Sequence, residues 1–191
     1  MAGHEPTHYT DSFSSLLNVF TPEEMDRIEA YGDRLQAASA GVSGEMGPAK
    51  ASIRVTRTSW LTPNPETQWF FLRMEQAARF LNDRVYQFDL TGFSEPFQYT
   101  VYEASEGGHY DWHVDYGKRF HRKLSFSLQL SDPDGYEGGE LQTYGGNDIT
   151  PAPRARGTLV AFPSYVLHRV TPVTRGTRKT IVAWTAGPKF R

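Results

Sequence analysis

The hydrophobic positions of this chain change their spacing part-way along it. Met25, Ile28, Tyr31 and Leu35 recur every three or four residues, the period of one helix face. Thr21-Pro22-Glu23-Glu24 lies just ahead of them. It combines a capping threonine, a proline at the first helical position and a glutamate placed to reach back. A helix is predicted from residue 22 to about residue 38. Ser39 to Pro48 is glycine-rich and polar and reads as a loop. Ala51 to Leu61, with Ile53, Val55 and Trp60 among threonines and arginines, reads as a strand. Helical spacing returns from Pro65 to Gln87, where Trp69, Leu72, Met74, Ala77, Phe80, Leu81 and Val85 make a broad apolar stripe. The run Trp69-Phe70-Phe71 is assigned to core packing.

From residue 97 the period shortens to two. Strands are predicted at Phe97–Glu103, His109–Val114, Leu124–Leu130, Glu140–Tyr144, Thr158–Phe162, Val166–Val170 and Thr177–Thr185. Turn signals separate them, including Gly107-Gly108, Asp132-Pro133-Asp134-Gly135, Gly138-Gly139, Gly145-Gly146-Asn147 and Arg175-Gly176. Many short strands with regular turns suggest a sandwich or barrel, of which the jelly roll is one closed form. In one strand Leu124, Phe126, Leu128 and Leu130 share a face while Ser125, Ser127 and Gln129 share the other. Alternation alone leaves two fates for that polar face: bulk water, or a wet cavity inside the barrel.

Composition narrows the class. A length of 191 residues suits one domain with a substantial core, residues 1–95 supplying helices and supporting strands and 96–191 the β core. A formal charge of −2 favours neither nucleic acid nor an anionic membrane as partner. No apolar run approaches the roughly 18–20 residues of a membrane span. The N-terminal stretch is polar and lacks an apolar signal core, so a soluble, cytoplasmic protein is expected. The one tight basic cluster, Lys118-Arg119-Phe120-His121-Arg122-Lys123, reads as a solvated loop rather than an attractor for an acidic co-substrate or peptide. Cysteine is absent, which removes disulfides, thiolate metal sites and a cysteine nucleophile. Any metal must be held by histidine and carboxylate.

His113-Val-Asp115 and the later His168 provide such a set. Two imidazoles and one carboxylate are the facial triad of non-haem Fe(II), which leaves the remaining positions open. Residues two apart on a strand point to one face, so His113 and Asp115 can grip a metal together. A 2-oxo acid chelating that iron would leave one position for O₂. The far carboxylate of a five-carbon dicarboxylate would need a buried cation. Arg178, ten residues after His168, can reach back into the barrel from the next strand, whereas Arg175 sits beside Gly176 in the predicted turn and is expected in solvent. With Arg178 inward, alternation turns Thr180, Val182 and Trp184 inward too. Trp184 would then wall the pocket or serve as plain core. Tyr102 would donate to a co-substrate carboxylate or sit buried at the sheet edge.

The stretch from Tyr99 to Arg191 resembles the Fe(II)/2-oxoglutarate-dependent dioxygenases of the prolyl 4-hydroxylase-like class, and is most similar to bacterial PKHD-type hydroxylases. The resemblance rests on His113-Val-Asp115, on Leu130-Ser-Asp-Pro-Asp-Gly-Tyr-Glu-Gly-Gly-Glu-Leu141, on Phe162-Pro-Ser, and on His168-Arg-Val-Thr-Pro-Val-Thr-Arg-Gly-Thr-Arg178. Arg54-Val-Thr-Arg-Thr-Ser-Trp-Leu61 matches more loosely. The resemblance implies a mainly β fold, a double-stranded β-helix (jelly roll or cupin-like barrel) buttressed by N-terminal helices. It implies iron at His113, Asp115 and His168, and 2-oxoglutarate at Arg178 with help from Tyr102. It turns Ser125, Ser127 and Gln129 toward the site, Gln129 standing where several relatives carry a co-substrate-binding tyrosine. Leu141 joins Thr180, Val182 and Trp184 as pocket lining, and L-ascorbate is a third candidate cofactor.

The expected activity is hydroxylation of a C–H bond in a prolyl or amino-acid-type substrate, with release of succinate and CO₂. That substrate is a residue in a protein or peptide, a free amino acid or a small metabolite. Asp115 argues against the halogenating variant, which needs that ligand position vacant. A non-catalytic metal- and 2-oxoglutarate-binding sensor with the same fold is the alternative from another class. Substrate is expected to enter over Trp184 and the loops near Arg54–Trp60 and Asp115–Arg122, so Arg54, Arg57, Lys118 and Arg119 are candidate substrate contacts.

Overall fold

The computed structural model describes residues 8–10, 12–39, 53–117 and 121–189. Lys118 and Arg119 lie outside the described residues. Two antiparallel sheets face one another as a double-stranded β-helix. The major sheet runs in the order β1 (His8–Tyr9), β2 (Ser14–Leu16), β12 (Leu159–Pro163), β8 (Arg122–Gln129), β14 (Val173–Ala186), β6 (Phe97–Glu103) and β4 (Arg57–Leu61). β5 (Gly92–Phe93) and β9 (Tyr136–Gly138) also pair with β14. The minor sheet runs β11 (Ile149–Pro151), β10 (Leu141–Tyr144), β13 (Leu167–Val170), β7 (His109–His113) and β3 (Arg54–Val55).

Helix α1, Pro22–Ser39, begins at the capping box. The Thr21 amide donates to Glu24 Oε2 at 3.0 Å, and the Glu24 amide donates to Thr21 Oγ1 at 3.3 Å. The helix lies close to the major sheet because Gly32 has no side chain: a Cβ there would stand 2.4 Å from the Tyr99 ring. Tyr99 Oη donates to Asp33 Oδ1 at 2.6 Å, and Lys179 Nζ binds both Asp33 and Glu29. Burial, followed by the Asp33 contact, pushes the Tyr99 phenol well above the ordinary tyrosine range.

Helix α2, Gln68–Leu81, buries Phe70, Met74, Ala77, Ala78 and Leu81, an i, i+4, i+7, i+8, i+11 stripe. Leu72, assigned to the stripe from sequence, is 53% exposed because it sits about 200° round the helix from Phe70. Trp69 and Phe71 flank the core around the fully buried Phe70. The helix also ends sooner than its periodicity predicts, in a π-helical turn over Asn82–Tyr86. Asn82 closes that turn: its Nδ2 donates to the Phe88 carbonyl and its Oδ1 accepts from the Phe88 amide, both at 2.9 Å.

Two further departures matter for the site. The single strand expected up to Leu61 is two, broken at Thr56, whose hydroxyl donates to the Val101 carbonyl at 2.9 Å. β3 joins the minor sheet and β4 the major one, so this segment ties the two sheets together. At the other end, Arg175-Gly176 is no turn. It lies inside the long strand β14 as an irregular pairing with β9. Gly176, at φ 71°, takes a conformation suited to glycine, and a Cβ there would meet the Gly135 carbonyl oxygen at 2.1 Å.

β14 and its neighbours divide cleanly by face. Ile181, Ala183, Leu124, Phe126, Leu128, Tyr99 and Val101 pack against the two helices in the main core. The other face carries Arg178, Thr180, Val182 and Trp184. They lie level with Tyr102, Thr100 and Gln98 on β6, and with Gln129, Ser127 and Ser125 on β8. That face meets the minor sheet across a cavity of about 230 Å³.

Candidate active site

His113 and His168 are direct partners across the β7–β13 ladder, with ring centroids 4.1 Å apart. Each ring is held from behind. Nδ1 of His113 lies 2.7 Å from the Asp111 carbonyl oxygen, and Nδ1 of His168 lies 2.9 Å from that of Val166. A carbonyl only accepts, so both Nδ1 atoms carry a proton, and Nε2 is the atom each ring turns toward the cluster. Those atoms point at Asp115, His168 Nε2 lying 3.5 Å from Oδ2 and His113 Nε2 3.8 Å from Oδ1. One donor atom from each of the three residues falls within a 4.8 Å cluster.

Asp115 arrives differently from the strand geometry expected. β7 ends at His113 and Val114 is exposed. Asp115 lies past the strand end, its amide anchored to the Ser164 carbonyl at 2.9 Å. Its carboxylate is then aimed by two donors, Ser125 Oγ at 2.7 Å and the Trp184 indole N–H at 2.8 Å, both to Oδ2. Burial opposes ionisation of Asp115, but His168, the indole N–H, His113 and the Ser125 hydroxyl outweigh it and hold the carboxyl below its usual range. His113 is pushed down to about 4, chiefly by burial and then by His168, so its imidazole is a neutral ligand near pH 7. Two imidazoles and one carboxylate, each ring held through its Nδ1 by a backbone carbonyl, fit a divalent iron.

Arg178 is 2% exposed and projects into the same cavity. Its Nη2 donates to Gln129 Oε1 at 3.0 Å, its Cζ lies 5.4 Å from the Tyr102 ring centroid, and its Nε is buried with no partner. Among the described residues no carboxylate pairs with it. Burial is the largest influence on this guanidinium and holds its pKa below the ordinary arginine value. Room for the side chain comes from Gly139, where a Cβ would lie 2.9 Å from Arg178 Cδ. A buried arginine with an orphaned N–H and no acid suits a ligand that brings its own carboxylate. Arg175, by contrast, is exposed and paired with Glu137 at 2.8 Å.

The other expected residues divide by position. Tyr102, Ser127, Leu141, Thr180, Val182, Trp184 and Arg54 all line the cavity. Gln129 stands behind Arg178 and reaches the cavity only through it. Arg57 is not brought to the cavity; it is exposed and its Nε donates to Glu106 at 3.1 Å. The basic cluster reading also needs correction, because Arg122 and Lys123 belong to β8 and Lys123 is buried. Arg122 lines the cavity, binds Glu95 through two contacts of 2.6 Å and places Cζ 3.8 Å from the Trp184 ring centroid.

Tyr110 escaped the sequence reading for a definite reason. It precedes His113 by three residues, so strict alternation would put the two on opposite faces. The β7–β13 register shifts between the two pairs, and this irregularity turns both rings inward, stacked at 3.5 Å and 14°.

Residues 97–186, which carry the whole constellation except Arg54 and Glu95, match the model of the 2OG-Fe(II) oxygenase superfamily. The segment is similar to a 2OG-Fe(II) oxygenase domain. Curated relatives of the domain include a PKHD-type hydroxylase of Synechococcus sp. strain CC9605, 44% identical over 87 residues, covering 44% of this chain and 39% of the relative. A PKHD-type hydroxylase of Pseudomonas putida strain W619 is 42% identical over 91 residues, covering 42% and 39%. The chain thus spans about two-fifths of the length of the curated relatives it matches. The fold extends further than the sequence likeness. A Pseudomonas putida prolyl-4-hydroxylase superposes with TM-score 0.70 at 23% identity, over 93% of this chain and 94% of that one. A Trichoplax adhaerens prolyl hydroxylase, solved with a hypoxia inducible factor oxygen degradation domain peptide fragment, gives 0.75 at 18% identity over 93% and 84%.

Proposed function

We propose that this protein is an Fe(II)- and 2-oxoglutarate-dependent dioxygenase that hydroxylates a C–H bond of a prolyl or amino-acid-type substrate, releasing succinate and CO₂. The observation that carries this reading is the convergence of three metal-ligand groups and one buried, acid-free arginine on a single cavity. The superfamily match over residues 97–186 supports the same cofactor pair.

His113, Asp115 and His168 would hold the iron, and Arg178 would take the distal carboxylate of 2-oxoglutarate. Bound iron supplies O₂ activation coupled to oxidative decarboxylation of the oxo acid. The chain's own part is positional. Backbone carbonyls lock both imidazoles in the ligating tautomer, and Ser125 and Trp184 orient the carboxylate. Gln129 braces Arg178, and Tyr102 beside it keeps a neutral phenol able to donate, because burial raises its pKa. Ser127 and Thr180 line the path between Arg178 and the triad on adjacent strands, and Val182, Leu141 and Trp184 wall it.

No helix among the described residues is long and apolar enough to cross a membrane. A cytoplasmic setting and stimulation by L-ascorbate are further expectations of this reading. The deciding experiment supplies Fe(II), 2-oxoglutarate and O₂ to the purified protein and measures succinate. Slow release without added substrate, abolished by His168→Ala, is expected. Metal-replete protein that binds 2-oxoglutarate but never yields succinate, with any fraction of a cell lysate added, would favour the sensor reading.

A further inference from the structure

Arg54 is the second arginine of the cavity without an acid. It stands on β3 opposite Tyr110 and lines the same cavity as the triad. Its Nη2 meets only neutral groups, Thr58 Oγ1 at 3.1 Å and Gln98 Oε1 at 3.4 Å, and its Nε is buried with no partner. No carboxylate among the described residues pairs with it. Its Cζ lies 4.7 Å from the Tyr110 ring centroid, and that ring is itself stacked on His113. The guanidinium is therefore held one aromatic ring away from a metal ligand.

Position separates Arg54 from the 2-oxoglutarate end. Its partners Thr58 and Gln98 lie level with Thr180 and Val182, two and four residues along β14 from Arg178, or roughly 7–13 Å of strand. Charge separates it again. Under the reading proposed above, a divalent iron, Asp115, the 2-oxoglutarate dianion and Arg178 cancel. Arg122 is already cancelled by Glu95. The Tyr102 and Tyr110 phenols, both raised by burial, supply no negative charge near neutral pH. One positive charge then remains in the filled cavity, on Arg54. An uncompensated charge with a buried, unsatisfied N–H is costly, and the planar fork is shaped for two carboxylate oxygens.

We infer that Arg54 binds the carboxylate of the primary substrate, so that the substrate is a free amino or imino acid and not a residue within a polypeptide. The carboxylate would dock on the Arg54 fork beside Tyr110, which stacks on His113, and so bring the carbons next to it toward the His113, Asp115 and His168 cluster. A peptide-bonded prolyl residue has no charge to offer there. This inference rests on the dioxygenase reading for its turnover arm, but its binding arm stands alone.

The test uses the protein loaded with 2-oxoglutarate and either Fe(II), for turnover, or Zn(II), for binding without turnover. The probes are the twenty common amino acids, each with its carboxamide. In the Zn(II) form, read by the shift in thermal unfolding, at least one free acid should bind at least tenfold more tightly than its amide. Arg54→Gln should weaken that acid at least tenfold while changing the 2-oxoglutarate requirement by far less. Arg54→Lys, which keeps the charge but not the fork, should recover only part of the loss, and exposed Arg57→Ala should leave acid binding as in the wild type. In the Fe(II) form the same acid should raise succinate release above the substrate-free rate. The inference is overturned if no acid binds, if amide and acid bind alike, or if Arg54→Gln weakens 2-oxoglutarate as much as the acid. Wild-type Fe(II) protein that releases no succinate at all, yet discriminates acid from amide in the Zn(II) form, would sink the dioxygenase reading and leave the Arg54 site standing.

Discussion

Arg178 and Lys179 are neighbours on one strand and hold the same charge, yet their surroundings are opposite. Lys179 points toward α1 and is met by two acids, Glu29 at 3.1 Å and Asp33 at 2.8 Å. Arg178 points into the cavity and is met by neutral groups alone, the Gln129 amide, the Tyr136 hydroxyl and the Tyr102 ring. The contrast extends along the strand. Outward residues Ile181 and Ala183 sit in a dry core, while inward Thr180 and Trp184 face the triad. A cation that serves the fold comes with its counter-ions built in, because leaving a buried charge unpaired is expensive. A cation kept without them marks a place where a ligand completes the structure.

If the inner face is the site, its ligand residues should be expendable for folding and indispensable for chemistry. Asp115→Ala and His168→Ala should each abolish stoichiometric iron binding and succinate release, while circular dichroism stays native. Full iron occupancy by elemental analysis in both variants would remove the basis of the site. The outer face should behave in reverse. Leu128, fully buried in the helix-packed core and absent from the cavity lining, should cost about 2–5 kcal/mol when cut to alanine. Denaturant unfolding would show this, whereas iron affinity of the folded fraction should hold; a loss under 1 kcal/mol would mean that the face is not tightly packed.

The two cations sharpen the comparison. Arg178→Ala should raise the 2-oxoglutarate requirement at least about tenfold, matching the ~1.5–3 kcal/mol of a charge-assisted bond, without lowering the stability of the ligand-free protein. Lys179→Ala should leave that requirement alone and reduce stability by at most about 1 kcal/mol, since its partners are partly exposed. Arg175→Ala should do neither. Equal effects of Arg178 and Lys179 on the co-substrate would break the distinction. The smallest effect is expected farthest from the cavity. Thr21→Ala removes half of the α1 capping box and should cost about 1 kcal/mol in thermal unfolding, with succinate release per folded molecule unchanged.

The site was more legible than its supports. His113, Asp115, His168 and Arg178 stood out because few arrangements of those side chains serve any purpose but ligation, and the structure brings all four to one cavity. The polar face of Ser125, Ser127 and Gln129 could be recognised as a face, but its fate depended on what stood opposite. Each of the three meets something different: Ser125 the Asp115 carboxylate, Ser127 the cavity and Gln129 the arginine. Arg122 read as part of a solvated cluster because its partner Glu95 lies on a separate segment that β5 and β6 bring alongside.

Local spacing by itself determined the helix starting at the Thr21–Glu24 box, most of the strands after residue 97, and the residue types of the candidate ligands. All depend on neighbours within a turn of helix or a strand's length, or on the chemistry of single side chains. Tertiary structure decided whatever depends on the opposite sheet. It split the Arg54–Leu61 segment between two sheets, stacked Tyr110 on His113 through a shifted register, and aimed Asp115 with an indole from β14. It also decided that Arg178 and Arg54 would be left without acids, because only the closed pair of sheets brings these charges into one cavity while placing the available carboxylates elsewhere.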